Sequence, residues 1–220
     1  MLLLGCIFCK RVQYDDHGFS FRNIAGMSGN LWDIQAYFYS ALRKIFPVNL
    51  IVKREYQNIF SLLSGLELKN KLVLDVGTGT GSVLYMLPEN CKIIAVDSSI
   101  GMLKTVMKRY QCQYYLVAAD LNVLPFKANK FDLVTAVGVL EYQKQIKQCL
   151  FNIAGILKST GYALITFSQL NIFNLLRNVL GHRIHTAAFV DFKKFIDAVG
   201  LKYISQKTSL MQNQVLLCKK

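Results

Sequence analysis

The chain is short of carboxylates. Its 220 residues carry 13 Asp and Glu against 26 Lys and Arg, a formal net charge of +13. From Tyr142 to Val190 no acidic side chain occurs, while Lys144, Lys147, Lys158, Arg177 and Arg183 all lie there. Such an imbalance favours an anionic partner: nucleic acid, an anionic membrane surface or an acidic substrate. No run of five basic residues exists, so a merely basic surface fits as well. Long apolar runs are also missing. MLLLGCIFCK at the start is apolar only as far as Cys9, well short of the roughly 20 residues that span a bilayer. No basic residue precedes that run, as one would in a secretory signal. Residues 1–30 are therefore expected to be a disordered tail or a start-site artefact, with Met27 an equally good start. The rest is expected to be cytoplasmic, with at most peripheral membrane contact.

Cysteine pairs are equally sparse. Cys6 and Cys9 form a CxxC with no second pair and no nearby His, too little for a zinc site, so no metal is expected. Cys91, Cys112, Cys149 and Cys218 fall singly in apolar or mixed segments and are expected to be reduced, buried thiols. Repeats and low-complexity tracts are absent. A hydrophobic content of 53% with 18% charged residues excludes a disordered chain and suits a single globular domain.

What is present is an alternation of two periodicities. Residues 31–66 repeat apolar positions at helical spacing, broken at Pro47. Short apolar runs at 71–76, 91–97, 112–120, 131–140 and 161–168 then read as buried strands. Between them, 82–87, 99–110 and 143–157 read as helices, the second behind a serine cap. A helix at 191–200 precedes two runs, 201–209 and 214–219, that suit a terminal hairpin. Strands alternating with helices imply a parallel sheet with helices on both faces. Its binding crevice lies at the carboxyl ends of the strands. Asp75, Asp97 and Asp120 all fall at such ends.

The stretch VLDVGTGTGSV (73–83) asks what comes so close to its backbone. A dinucleotide fingerprint needs glycine at the sixth position counted from Gly77, where Ser82 stands. A phosphate-binding P-loop fails because no Gly-Lys-Ser/Thr follows. D-x-G-x-G-x-G, from Asp75 to Gly81, resembles motif I of the Class I S-adenosylmethionine-dependent methyltransferases. The resemblance continues through Asp97, Asp120 in AADLNVLPF, FDLVTAVGVLEY and ILKSTGYALITFS, in which Ser-Thr-Gly stands where the family has Pro-Gly-Gly. DLNVLPFKANKFDLV is similar to the small-molecule, ubiquinone/menaquinone-biosynthesis type, and WDIQAYFYS to that type's N-terminal segment, with Ala36 and Tyr39 matching. Neither the N/D-P-P-Y/F motif of nucleic-acid N-methyltransferases nor the two-glutamate loop of protein arginine methyltransferases occurs.

The resemblance implies a Rossmann-like, seven-stranded, mostly parallel α/β sheet with a C-terminal antiparallel hairpin. It makes 31–220 one methyltransferase domain with cap helices at 31–66. It implies S-adenosylmethionine as cofactor and S-adenosylhomocysteine as product, with a small-molecule or lipid-like acceptor. Asp75 would counter the cofactor's ammonium, Asp97 accept from both ribose hydroxyls and Asp120 meet the adenine amine. Gly77, Thr78, Gly79, Gly81, Ser98, Met102, Leu121, Val137 and Tyr39 would complete the cofactor site. Singly, each has a plainer reading: Asp97 as a helix cap, Asp120 as a turn former, the glycines as close packing. If the acceptor must lose a proton, His182, His185 and Glu141 are the candidate bases, although the histidines also read as loop residues. An RNA methyltransferase, suggested by charge alone, and a non-catalytic S-adenosylmethionine-binding partner protein are the alternatives.

Overall fold

The computed structural model describes residues 48–111, 113–179 and 184–220. The expectations for residues 1–30, the CxxC pair, Ala36, Tyr39, Cys112 and His182 lie outside these residues. The elements are α1 (Val48–Leu63), β1 (Leu72–Val76), β2 (Lys92–Asp97), α2 (Ile100–Arg109) and β3 (Tyr115–Ala118). They continue with β4 (Phe131–Ala136), α3 (Ile146–Ile156), β5 (Leu157–Phe167), α4 (Ile172–Val179), α5 (Phe189–Ala198), β6 (Leu201–Thr208) and β7 (Asn213–Lys219).

The seven strands form one sheet in the order β3-β2-β1-β4-β5-β7-β6. β1 to β5 are parallel, and β7 runs antiparallel to both β5 and β6. The expected Rossmann-like sheet and terminal hairpin are therefore both present. Two-residue alternation divides the strand side chains between two apolar layers. Val73, Ile93, Leu133, Leu164 and Leu216 pack with Ile59, Leu62 and Leu63 of α1 and Val106 of α2. Leu74, Val96, Val134, Ile165 and Leu217 pack on the other face with Leu150 and Ile153 of α3 and Phe192 and Ile196 of α5. Because both faces are covered, the central strands read as continuous apolar runs rather than alternating ones.

Several bounds differ from the sequence reading for local reasons. Residues 82–87 form only a 3-10 turn, Leu84–Met86, because Leu87 is already extended, as a residue before proline prefers. β4 ends at Ala136; Gly138 at φ 69° turns the chain, and a 3-10 turn follows at Leu140–Tyr142. β5 begins four residues early, at Leu157 rather than Gly161, and its pairing with β4 shifts register between Leu157 and Tyr162. α4 has no counterpart in the sequence reading; Asn171 Oδ1 caps it by accepting from the Asn174 amide at 2.9 Å. Cys149 is buried as expected, whereas Cys91 and Cys218 are half-buried; all three are free thiols.

Candidate functional site

Strand order reverses between β1 and β4, which opens a crevice at the carboxyl ends of these two strands. Asp75 sits there, 1% exposed. Its neighbour across the parallel register is Thr135 of β4, whose hydroxyl donates to Asp75 Oδ1 at 2.6 Å. Asp75 Oδ2 and Thr78 Oγ1 are both buried and make no hydrogen bond of ordinary geometry, although the Thr78 hydroxyl lies close enough to Asp75 to favour its charged form. Burial pushes the Asp75 carboxyl up to about 6, with the Thr135 and Thr78 hydroxyls working in the opposite direction. Buried polar atoms of this kind are normally satisfied, so a donor belonging to a ligand is the natural complement.

The loop after β1 uses its glycines for three different reasons. Gly77, Gly79 and Gly81 all hold left-handed backbone, at φ 65°, 54° and 80°. A Cβ on Gly77 would lie 2.6 Å from the Val139 side chain, so this glycine lets the strand-four loop close down. On Gly81 it would lie 2.7 Å from the Tyr110 ring. On Gly79 its nearest neighbour would be the Gly77 carbonyl at 4.0 Å. Gly79 is thus the glycine of the three that faces open space, where another molecule can approach the backbone.

Asp97 at the end of β2 ties this loop to α2. Its Oδ2 accepts from Gly79 N–H at 2.8 Å and its Oδ1 from Ser99 N–H at 2.9 Å. Ser99 caps α2 by accepting from the Met102 amide, so the serine cap falls where the sequence places it. Asp120 is exposed beyond β3; its Oδ1 takes the Asn122 amide and side chain, at 2.8 and 2.9 Å. Leu121 and Met102 are buried, while Ser98 and Val137 are half-buried. The next residue, Gly138, donates its amide to Thr166 Oγ1 at 2.7 Å. Asp75, Asp97 and Asp120 therefore follow the ends of three adjacent strands, β1, β2 and β3, along one edge.

The candidate bases are arranged differently. Glu141 is 1% exposed. Arg177 Nη2 donates to its Oε1 at 2.7 Å, and Gln212 Nε2 donates to its Oε2 at 2.8 Å. Ser168 Oγ makes a further bond to Oε2. A carboxylate held on both oxygens and paired with a guanidinium is an anchor, not a base open to an acceptor. His185 is exposed, and its amide donates to the Glu141 carbonyl at 2.6 Å. It borders an open groove of about 810 Å³ between α3 and α5, lined also by Lys144, Lys147, Phe151 and Phe195. No residue of the glycine loop lines that groove.

Sequence reasoning missed Thr135, Ser168, Arg177 and Gln212. Only Thr135 left a signal, as a lone hydroxyl within the apolar strand FDLVTA.

The site residues fit S-adenosylmethionine: a buried carboxylate short of strong donors for an ammonium, and a glycine backbone open to close approach. Residues 74–165 match a methyltransferase domain family. An uncharacterized protein of Methanocaldococcus jannaschii, MJ0638, is 32% identical over 67% of this chain and 59% of its own length. Demethylmenaquinone methyltransferase of Renibacterium salmoninarum is 38% identical over 40% of this chain and 38% of its own length. The chain thus spans about half the length of the curated relatives it matches. Among solved structures, magnesium protoporphyrin IX methyltransferase of Synechocystis with bound S-adenosylhomocysteine superposes with a TM-score of 0.72 at 15% identity. That match covers 86% of this chain and 96% of the other, and it bears on fold alone. Sheet order, glycine loop and sequence match together make the chain a member of the Class I S-adenosylmethionine-dependent methyltransferase superfamily.

Proposed function

We propose that the protein transfers a methyl group from S-adenosylmethionine to an apolar small-molecule acceptor. The observation that carries this reading is the buried Asp75 carboxylate, whose Oδ2 makes no hydrogen bond of ordinary geometry, beside the open backbone of Gly79. When bound, the cofactor supplies a methyl group already activated by its sulfonium. The chain's own task is then approach geometry and exclusion of water. Asp75 counters the ammonium, the Gly77–Gly79 backbone admits the methionine and ribose portions, and Asp97 accepts from the ribose hydroxyls with its remaining lone pairs. Asp120 and Leu121 border the adenine end, and Tyr39 is proposed to close over the cofactor from the N-terminal segment.

The acceptor side lies toward Glu141 and β5. With Glu141 engaged, His182 and His185 remain as proton acceptors for a carbon or hydroxyl acceptor; an amine acceptor needs neither. An acceptor of the quinone-precursor type, as the name of the Renibacterium relative states for that protein, suits the apolar rim formed by Leu170, Ile172 and Phe173. The same rim favours peripheral contact with an anionic membrane as the second reading. RNA has only the net charge in its favour.

Asp97→Ala tests the cofactor assignment. Loss of charge-assisted bonds should cost about 1.5–3 kcal/mol, roughly 10- to 150-fold in affinity for S-adenosylhomocysteine measured by calorimetry. Unchanged affinity in the folded variant would overturn the assignment.

A further inference from the structure

The glycine loop is held from a side that the cofactor reading leaves unused. Arg109 Nη1 donates to the Thr80 carbonyl at 2.8 Å, and Tyr110 Oη donates to the Gly81 carbonyl at 2.6 Å. The Tyr110 ring fills the space that a Gly81 Cβ would need, with Val106 of α2 on its flank. Tyr114 packs on Tyr110 with ring centroids 5.1 Å apart. Asp97, the last residue of β2, holds Gly79 N–H. The end of β2 and the C-terminal end of α2 therefore hold successive residues of the loop.

We infer that Arg109 and Tyr110 are positioning residues: through Thr80 and Gly81 they set the glycine loop in its binding conformation before ligand arrives. The inference rests on the loop being the cofactor site. A loop with three left-handed glycines loses more conformational freedom on ordering than the same loop with other residues in their place. If the loop is not ordered beforehand, the ligand's binding energy must order it, and apparent affinity falls by the fraction of competent loop. The bonds serve this end rather than the core. Both end on loop carbonyls, and the Arg109 bond lies at the exposed surface, where it adds little to global stability.

The test compares wild type with Tyr110→Phe, Arg109→Ala, Arg109→Lys and the Tyr110→Phe/Arg109→Ala double variant. Amide hydrogen exchange is followed in the ligand-free proteins, and S-adenosylhomocysteine is titrated by calorimetry. In the double variant, amides 77–82 should exchange at least tenfold faster while β1 and β2 keep their protection. Its Kd should rise roughly 10- to 50-fold, with the loss appearing in the binding entropy. Arg109→Lys, which keeps a donor, should recover part of the loss seen in Arg109→Ala. A wild-type Kd in the folded double variant overturns the inference, as does unchanged loop exchange. If the double variant fails to fold, Tyr110→Phe, which keeps the ring against Gly81, decides by the same two readouts. If wild type itself does not bind S-adenosylhomocysteine, the cofactor reading falls, while loop exchange in the free proteins still tests the tether.

Discussion

Asp75 has one oxygen bonded to Thr135 and the other near only the Thr78 hydroxyl, without ordinary hydrogen-bond geometry, so burial makes its ionisation costly until a cation arrives. Burial lifts its folded pKa from 3.8 to about 6. Because the folded value is raised, the stabilising contribution of this group is complete below pH 3.8 and is lost as pH rises through about 6. Above that, ionised Asp75 costs the free protein about 3 kcal/mol. Asp75→Asn should therefore raise the melting temperature of the ligand-free protein at pH 8 and change it little at pH 4. Binding has the opposite sign. The ammonium of S-adenosylhomocysteine needs the ionised carboxylate, so wild-type affinity should fall about tenfold per pH unit below pH 6, and Asp75→Asn should bind weakly with no such slope. A wild-type affinity that is flat from pH 5 to 8 would remove Asp75 from the ammonium site. Asp75 and Asp97 were legible in the sequence because a strand end followed by alternate glycines constrains both position and chemistry locally. Thr135 was not, since its partner lies 60 residues away and only the register of β1 with β4 joins them.

Among the elements, α4 shows why some of the site escaped sequence reading. Its polar residues point to partners that no local pattern reveals. Asn171 Nδ2 donates to the Leu210 carbonyl at 3.0 Å, and Asn174 Nδ2 to the Met211 carbonyl at 2.9 Å. Arg177 reaches Glu141, 36 residues back along the chain. Glu141 reads from the sequence as a candidate base, but its bonds to Ser168, Arg177 and Gln212 come from three separate elements or turns. Those bonds staple the strand-four loop, the end of β5, α4 and the β6–β7 turn into one wall, where the acceptor is proposed to bind. Arg177→Ala leaves Glu141 buried without its counter-charge and should destabilise the fold by about 3–5 kcal/mol. Exchange of amides 168–179 should rise, while affinity for S-adenosylhomocysteine in the folded fraction stays within about threefold. A loss of cofactor affinity as large as that in Asp97→Ala would show that the wall also shapes the cofactor pocket.

Over the whole molecule, the carboxylate-poor stretch 142–190 does not fold into one basic face. Lys158 is spent on Asp132 at 2.9 Å, beside the start of β1, whose Leu72 amide also donates to Asp132. Arg177 is spent on Glu141, and Arg183 lies outside the described residues. Lys144 and Lys147 remain, exposed at the α3–α5 groove and in no ion pair among the described residues. Beside that wall, Leu170, Ile172, Phe173 and Leu175 are exposed, as is Leu210 on the turn that Asn171 holds. No described helix is long and apolar enough to cross a membrane. An apolar rim with scattered cations suits a lipid surface better than RNA, which needs a continuous phosphate track. The protein should therefore pellet with anionic vesicles more than with neutral ones. Ile172→Ser/Phe173→Ser should weaken pelleting at every salt concentration, whereas Lys144→Glu/Lys147→Glu should remove mainly its salt-sensitive part. RNA binding measured by gel shift should be weak at 150 mM salt. Salt-steep RNA binding that the lysine variant abolishes, with no vesicle binding in wild type, would reverse the assignment and make nucleic acid the partner.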